Sequence, residues 1–392
     1  MSLTSTPKAE RLHIGFFGLC NAGKSSLINA VANQKLSIVS PTAGTTTDTV
    51  QKAMELPPLG PVVLLDTAGF DDTGELGALR VLAAQQALDK VDAAVLVHDA
   101  ALPLSREEKT FLENAENANK KTLVVCNKCD LTEGREEGML YVSAETQEGI
   151  EDLKAALVKL LSDREEKFIL KDLVQKGDLV LLVTPIDEAA PKGRIILPQQ
   201  QTLRELLDLH ATVLFCQPQE VEQTLEKLAQ KPRLCITDSQ AFSAVAKSLP
   251  EEIPLTSFSI LFARYKGELS TLVQGAKALK NLKDGAQVLI CEGCTHHRSC
   301  GDIGTVKLPA AIRRLTGKEL SFSFTQGSDF PVDVTKYDLI VHCGGCMLGE
   351  AEVKARMKRA TDWKTPITNY GIALAAASGI LPRALSPFGI TL

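Results

Sequence analysis

Aromatic side chains are scarce in this chain: one Trp and four Tyr among 392 residues, too few for the stacking platforms on which single-stranded nucleic acids lie. An excess of positive charge is missing too. The formal net charge is -5, which disfavours a phosphate backbone as the main partner. Long apolar runs are also absent. The longest, Ile372 to Leu381, falls far short of the roughly 20 residues that a bilayer-spanning helix needs. Met1 to Arg11 is polar, without the apolar core of a secretory signal. These absences lead to the expectation of a cytoplasmic protein that engages neither membrane nor nucleic acid.

What is abundant is core-forming material. The composition is 44% hydrophobic and 23% charged, as in soluble globular chains, and the length exceeds what one core organises, so two or three domains are expected. Ten cysteines in a reducing compartment read as metal ligands or reactive thiols before disulfides.

From Leu12 to about Leu161, β-rich runs (Ile14-Phe17, Val62-Leu65, Ala93-Val97, Thr122-Cys126, Met139-Val142) alternate with helical segments such as Lys24-Asn33 and Arg106-Asn117. This alternation predicts a doubly wound α/β domain. The charged stretch Ser162 to Lys167 then marks a linker. A second series follows: strands at Leu179-Val183, Thr212-Phe215, Leu234-Thr237 and Leu255-Phe258, with helices at Gln199-Leu209, Glu220-Ala229 and Gln240-Ser248. It has no polar constellation of its own, which suits scaffolding or dimerisation. A third series opens with one long helix from Leu261 to Asn281, followed by strands at Gln287-Ile290, Leu320-Phe324 and Tyr337-Val341 and helices at Pro309-Leu315 and Glu350-Ala360. The expected architecture is α/β with three domains, 1–166, 167–260 and 261–392, the last two being smaller parallel-sheet domains.

Gly18-Leu19-Cys20-Asn21-Ala22-Gly23-Lys24-Ser25 matches the phosphate-binding loop G-x-x-x-x-G-K-[ST] between a predicted strand and a predicted helix. Its glycines let backbone N–H groups turn inward around the phosphates, Lys24 places charge on the β/γ oxygens, and the Ser25 hydroxyl suits Mg²⁺. Asp66-Thr67-Ala68-Gly69 ends the next apolar strand. There a carboxylate can hold Mg²⁺ through water, and the Gly69 N–H can sense a γ-phosphate. Asn127-Lys128-Cys129-Asp130 closes a further strand, and Asp130 can accept two hydrogen bonds from the N1–H and 2-amino group of guanine, which adenine cannot offer. Ser143-Ala144 completes the base pocket. The expected ligands are GTP or GDP with Mg²⁺.

Cys343-Gly344-Gly345-Cys346, preceded by His342, follows an apolar strand and precedes a helix. Two glycines there can wrap backbone around an ion or cluster, and a helix N-terminus favours thiolates. Cys294-Thr295-His296 also follows a strand, and the carboxyl ends of strands in an open parallel sheet share one edge. Three thiolates with a variable fourth ligand suit a 4Fe-4S cluster. Cys291 and Cys294 with Cys343 and Cys346 would equally compose a four-thiolate zinc site, so the spacing leaves both open. Candidates for the fourth position are His296 and His342, either of which can instead be a hydrogen-bond donor behind the ligands; Cys291, His297, Cys300 and Asp302 lie close by. Cys126 and Cys129 share metal-ligand spacing but bracket residues needed for the base, a coincidence. Cys20 is a variable loop position, Cys216 and Cys235 read as core, and His13, His98 and His210 as structural.

On these motifs, Leu12 to Leu161 resembles the translation-factor-like GTPases, in particular the group of the tRNA-modification and ribosome-assembly GTPases. The resemblance rests on Gly18 to Ser26, Gly44-Thr45-Thr46-Thr47-Asp48, Asp66 to Gly69 and Asn127 to Asp130, in that order. It implies that Thr46 ligates Mg²⁺, while Thr47 stands where the family usually has Arg. Phe70 occupies the place where Ras-like GTPases keep the water-orienting Gln. Asn21 matches a residue that helps bind K⁺ in related enzymes, implying slow, K⁺-stimulated GTP hydrolysis.

The whole chain, with C-x-H at Cys294 to His296 and H-C-x-x-C at His342 to Cys346, resembles the FeFe-hydrogenase maturation GTPase family. That resemblance implies a 4Fe-4S cluster on Cys294, Cys343 and Cys346, a homodimer formed through the middle domain, and a scaffold that assembles and delivers the diiron subcluster precursor. Its implied partners are the FeFe-hydrogenase apoprotein and radical-SAM maturases. The rival expectation is a GTPase with a structural four-cysteine zinc domain acting in RNA modification or ribosome assembly.

Overall fold

Runs such as Leu179–Val183 (LVLLV) and Ala93–Asp99 (AAVLVHD) bury both faces of a parallel sheet, the environment such apolar strands require. The computed structural model describes residues 6–32, 50–70, 75–164, 166–186, 195–293, 302–327 and 329–391. The chain divides into two units, Met1–Glu165 with Gly349–Ala355, and Glu166–Leu348 with Arg356–Leu392.

The first unit is built from β1 (Leu12–Phe17), α1 (Lys24–Ala32), β2 (Val50–Leu56), β3 (Gly60–Asp66), α2 (Glu75–Lys90), β4 (Ala93–Asp99), α3 (Arg106–Asn117), β5 (Lys121–Asn127), β6 (Leu140–Tyr141) and α4 (Ile150–Ser162). Its sheet runs β2-β3-β1-β4-β5-β6, parallel except for β2. Side chains alternate across the pleat. Ile14, Phe16, Leu64, Val95 and Val97 meet Leu27 and Val31 of α1 and Leu153 and Leu157 of α4. Phe17, Val63, Leu65 and Leu96 meet Leu88 of α2 and Phe111 of α3 on the other face. Each such buried side chain contributes about 1.5–3 kcal/mol relative to exposure. Helix α3 begins in a capping box: the Ser105 hydroxyl accepts from the Glu108 N–H, and Glu108 accepts from the Ser105 N–H. Glu108 also meets His98 Nδ1 at 2.9 Å, so His98 is structural, as expected.

The second unit carries two sheets. The middle one comprises β7 (Leu179–Val183), α5 (Leu197–Asp208), β8 (Thr212–Cys216), α6 (Val221–Glu226), β9 (Leu234–Thr237), α7 (Phe242–Ser248), β10 (Leu255–Ser257) and α8 (Phe258–Lys266). Its order is β10-β9-β7-β8, all parallel. Phe258, Leu261 and Phe262 of α8 pack on Val180, Leu182, Leu234 and Ile236. The last sheet follows α9 (Leu269–Leu279) and comprises β11 (Gln287–Glu292), α10 (Leu308–Thr316), β12 (Ser321–Gln326), β13 (Leu339–His342), α11 (Glu350–Asp362, of which 350–355 count with the first unit), β14 (Ile367–Asn369), α12 (Tyr370–Ala377) and α13 (Leu381–Leu385). Its order is β12-β11-β13-β14, also parallel. Helix α9 approaches β14 so closely that a Cβ on Gly275 would collide with the Ile367 carbonyl.

The three-domain α/β reading and most elements match this architecture. The long helix expected from Leu261 to Asn281 is instead two. Gly267 takes an extended conformation (φ -133, ψ -148) between them, and the Glu268 carboxylate accepts from the hydroxyls of Ser270 and Thr271 at 3.0 and 2.7 Å. Glycine costs about 1 kcal/mol in a helix interior, so a break there is cheap. Among the elements that escaped the sequence reading are β2, whose residues VQKAMEL are mostly solvent-facing on an edge; β14, three residues long; α12, which follows it without a loop; and the five-residue α13. No helix among the described residues is long and apolar enough to cross a membrane.

Candidate functional site

The phosphate-binding loop joins β1 to α1. Gly18 (φ 148), Asn21 (φ 62) and Gly23 (φ 88) turn its backbone through left-handed conformations, and the first N–H groups of α1 supply the partial positive charge that anions seek. The buried Lys24 ammonium donates to the Gly18 and Leu19 carbonyls at 3.1 and 2.7 Å. The Ser25 hydroxyl donates to the Asp66 carboxylate at the end of β3, so the two residues expected at Mg²⁺ are side by side. Thr67 donates to the Phe16 carbonyl at 2.7 Å, joining that strand end to β1. Gly69 passes so close to Cys20 that a Cβ would strike its thiol. Thr46 and Thr47 lie outside the described residues.

Asn127 performs a structural task that its motif conceals. Buried at the end of β5, it donates to the Ala22 carbonyl at 2.9 Å and accepts from the Ala144 N–H at 3.2 Å. One amide thereby ties the phosphate loop to the Ser143-Ala144 segment. Lys128 adopts φ 63 and reaches Asp99 at 2.6 Å. Burial works to raise the Asp99 carboxyl, yet the Lys128 ammonium and the Ala101 N–H hold it below its ordinary value. Asp99 was missed by sequence reasoning because it lies in no motif. Asp130 is exposed in the turn Cys129–Leu131. The buried Ser143 hydroxyl accepts from the Thr146 N–H at 3.1 Å. Phe70 is buried and stacks on Phe111, centroids 5.4 Å apart, so it is core and cannot orient a nucleophile.

The guanine preference gives a testable outcome. Asp130→Asn replaces two acceptors by an amide that presents a donor, so GTP affinity should fall by about 100-fold or more while xanthosine triphosphate, carrying a 2-oxo group, gains. Competition binding with both nucleotides reads the exchange; unchanged GTP preference would remove Asp130 from the base site.

Cys343 and Cys346 lie in the second unit, at the carboxyl edge of the last sheet. Cys343 leaves β13 beside β11, its N–H donating to the Cys291 carbonyl at 2.8 Å. Its sulfur accepts two backbone N–H bonds, from Gly293 at 3.0 Å and Gly345 at 3.4 Å, and Gly345 takes φ 64 to make this turn. Burial and the neighbouring Cys346 push the Cys343 thiol up to about 11, with the two amides pulling it back. Burial raises Cys346 too, and the Lys266 charge opposes it. The Lys266 ammonium, 3% exposed at the end of α8, donates to the carbonyls of Gly345, Cys346 and Leu348 at 3.1, 3.2 and 2.7 Å.

His342 is fully engaged. Its Nδ1 meets the Cys343 carbonyl at 2.8 Å and its Nε2 faces the Arg356 guanidinium at 3.0 Å. The carbonyl requires a proton on Nδ1, and the guanidinium requires a lone pair on Nε2. Burial and the Arg356 charge push the imidazole down to about 3, so it stays neutral and holds the turn. Ligation through Nε2 would require Arg356 to leave. Asp302 caps a helical turn, accepting from the Thr305 N–H and hydroxyl at 2.8 and 2.9 Å. Cys291 is buried within β11 and pushed up to about 12, mainly by burial. Cys294, His296, His297 and Cys300 lie outside the described residues. Among the described residues no three His, Cys, Asp or Glu side chains converge as a metal site. Two thiols on one glycine turn, amide donors into one sulfur and a buried ammonium behind the loop nevertheless fit a thiolate-held cation or iron–sulfur cluster, whose sulfurs accept such bonds. Lys266 and Arg356 had no signal in the sequence, being remote from the motif they support.

Comparison with known proteins finds three successive matches along the chain. The family model described as Hydrogen maturase F dimerization domain matches residues 169–267, that of the Hydrogen maturase F tetramerization domain matches residues 270–387, and 50S ribosome-binding GTPase matches residues 13–128. A tRNA modification GTPase MnmE from Chromobacterium violaceum is 34% identical over 161 residues, 39% of this chain and 35% of that protein. A GTPase Der from Thermomicrobium roseum is 40% identical over 136 residues, 33% of this chain and 29% of that one. The chain thus spans about a third of the length of these curated relatives. The solved structure of Aquifex aeolicus Era bound to GDP and AlF4- aligns with 52% of this chain and 92% of its own, at 21% identity and a TM-score of 0.33.

Proposed function

The chain belongs to the hydrogen maturase F family, and from that premise we propose that it is a GTP-hydrolysing scaffold that holds a 4Fe-4S cluster and carries the diiron subcluster precursor to FeFe-hydrogenase. The observation that carries this reading is the Cys343 turn: a half-buried thiol accepting two N–H bonds, on the same chain as a GTPase domain. Cys343, Cys346 and Cys294 would hold the cluster, which when bound supplies an iron with an exchangeable position. His342 orients the loop; His296 stays a candidate for the fourth position. The division of labour is nucleotide binding in 1–166, dimerisation in 167–260 and the cluster in 261–392. Partners are the hydrogenase apoprotein and radical-SAM maturases, and the compartment is the cytoplasm, where these thiols stay reduced.

Anaerobic reconstitution of the full chain with iron and sulfide, read by visible absorption and metal analysis, tests the reading. A colourless protein holding stoichiometric zinc would sink it in favour of a GTPase with a structural zinc domain in RNA modification or ribosome assembly, which the acidic net charge disfavours.

Hydrolysis is expected to be slow and stimulated by K⁺, since Phe70 is buried as core and Asn21, at φ 62, stands at the loop where a monovalent cation can add charge to the phosphates. Equal GTPase rates in K⁺ and Na⁺ would defeat this part.

Dimerisation is supported by β8, an edge strand of the middle sheet. Phe215 on it is 41% exposed and Leu207 of α5 is 55% exposed, and an unpaired edge with apolar side chains invites pairing. Phe215→Glu is expected to raise the dimer dissociation constant by about 10-fold or more, the cost of burying a charge in place of a ring, read by analytical ultracentrifugation. A dimer of undiminished strength would place the interface elsewhere.

A further inference from the structure

We infer that Lys266, the last residue of the helix α8 that packs on the middle sheet, is a positioning residue of the Cys343–Cys346 loop, and that its charge is part of that site. Three backbone carbonyls, of Gly345, Cys346 and Leu348, converge on one ammonium at 2.7–3.2 Å. A lysine that is 3% exposed is rarely left in a core without such partners, because a buried cation is costly unless its donors are satisfied. The carbonyls face the same cost, so each side secures the other. The bonds span chain positions 79 to 82 residues apart, so the loop's shape depends on where α8 ends.

The rest of α8 supports the same junction. Its Ser257 hydroxyl caps the first turn, accepting from the Ile260 N–H at 3.2 Å. Two residues on, the Ser259 carbonyl and hydroxyl accept from Asn369 Nδ2 at 2.9 and 3.2 Å, tying the helix to the end of β14. Ser259 also flanks Gly344, whose added Cβ would lie 3.4 Å from its hydroxyl oxygen. The helix that packs on the middle sheet is therefore the floor of the cysteine turn, and the breaking residue Gly267 follows the clamp immediately.

The charge has a consequence that simple support lacks, and this half rests on the cluster reading above. Thiolates and a reduced iron–sulfur cluster are anionic, and a buried cation stabilises the more negative redox state. Removing it makes reduction harder; removing a merely structural contact need not.

The test compares Lys266→Met and Lys266→Arg with the parent, all as full chains. Hydrogen exchange at the amides of residues 345–348 in the metal-free protein is expected to accelerate at least tenfold in K266M and less in K266R, which keeps charge and donors. After reconstitution with iron and sulfide, K266M is expected to show a more negative reduction potential, by about 59 mV for a tenfold change in a one-electron couple, with K266R close to the parent. Unchanged exchange in K266M would overturn the clamp, and an unchanged potential would overturn the electrostatic role. If the parent takes up no iron and sulfide, the cluster reading falls with the electrostatic half, while the exchange rates still decide the clamp. Should K266M not fold, Lys266→Gln, which can serve a single carbonyl, is read in the same way.

Discussion

Gly23→Ala is expected to lower GTP affinity by about 100-fold or more, a larger loss than its single methyl suggests. Gly23 sits at φ 88, a conformation that costs a residue with a Cβ about 1–3 kcal/mol. The new Cβ would also strike the side-chain amide of Asn127, which is buried and committed to the Ala22 carbonyl and the Ala144 N–H. Displacing it leaves buried polar groups unpaired, at about 1–3 kcal/mol each, and uncouples the phosphate loop from the base segment. Every 1.4 kcal/mol is about tenfold in affinity, so two such losses reach the expected figure. Gly138→Ala is the control: Gly138 has φ 87 but nothing near its would-be Cβ, so it isolates strain from collision. Titration with a fluorescent GTP analogue measures both. A Gly23→Ala protein that binds like the parent would mean that Asn127 is not the tie.

Cys343→Ala should abolish uptake of iron and sulfide. Even a group behind a metal ligand is worth about 10–100-fold in metal affinity, and Cys343 is proposed as a ligand itself, with two N–H donors preorganised on its sulfur. Cys291→Ala is the informative comparison, since Cys291 lies one strand away, fully buried within β11. Losing that thiol should cost stability through a small cavity while leaving metal content intact. Iron and sulfide analysis of the three proteins after reconstitution decides. Loss of loading in Cys291→Ala to the same degree would point to the four-thiolate zinc arrangement.

How much of this was legible in the sequence depended on where the determining contacts lie. The phosphate loop was legible because its requirements are local. Left-handed glycines, a lysine and a hydroxyl at fixed spacing suffice, and the strand before and helix after were marked by their own apolar patterns. The strands Leu179–Val183 and Leu234–Thr237 were legible for the same reason, being buried on both faces. The edge strand Val50–Leu56 was not, because half its side chains face solvent and its pairing with β3 is antiparallel, a register that no local pattern announces. The break at Gly267 was hidden within a segment that is apolar at helical spacing on both sides.

The sequence by itself determined the chemistry on offer: a guanine nucleotide loop, paired thiols flanked by glycines, and an acidic chain without long apolar spans. Those properties belong to side chains and to spacings of a few residues, which survive in any fold that exposes them. Only the tertiary structure decided which polar groups serve that chemistry. Asn127 became a tie between loops, His342 a buried donor with both nitrogens engaged, and Lys266 a clamp supplied from another sheet. Buried polar atoms must find partners wherever the chain brings them, and the partner of Asn127 lies 105 residues away in sequence, beyond the reach of any local pattern.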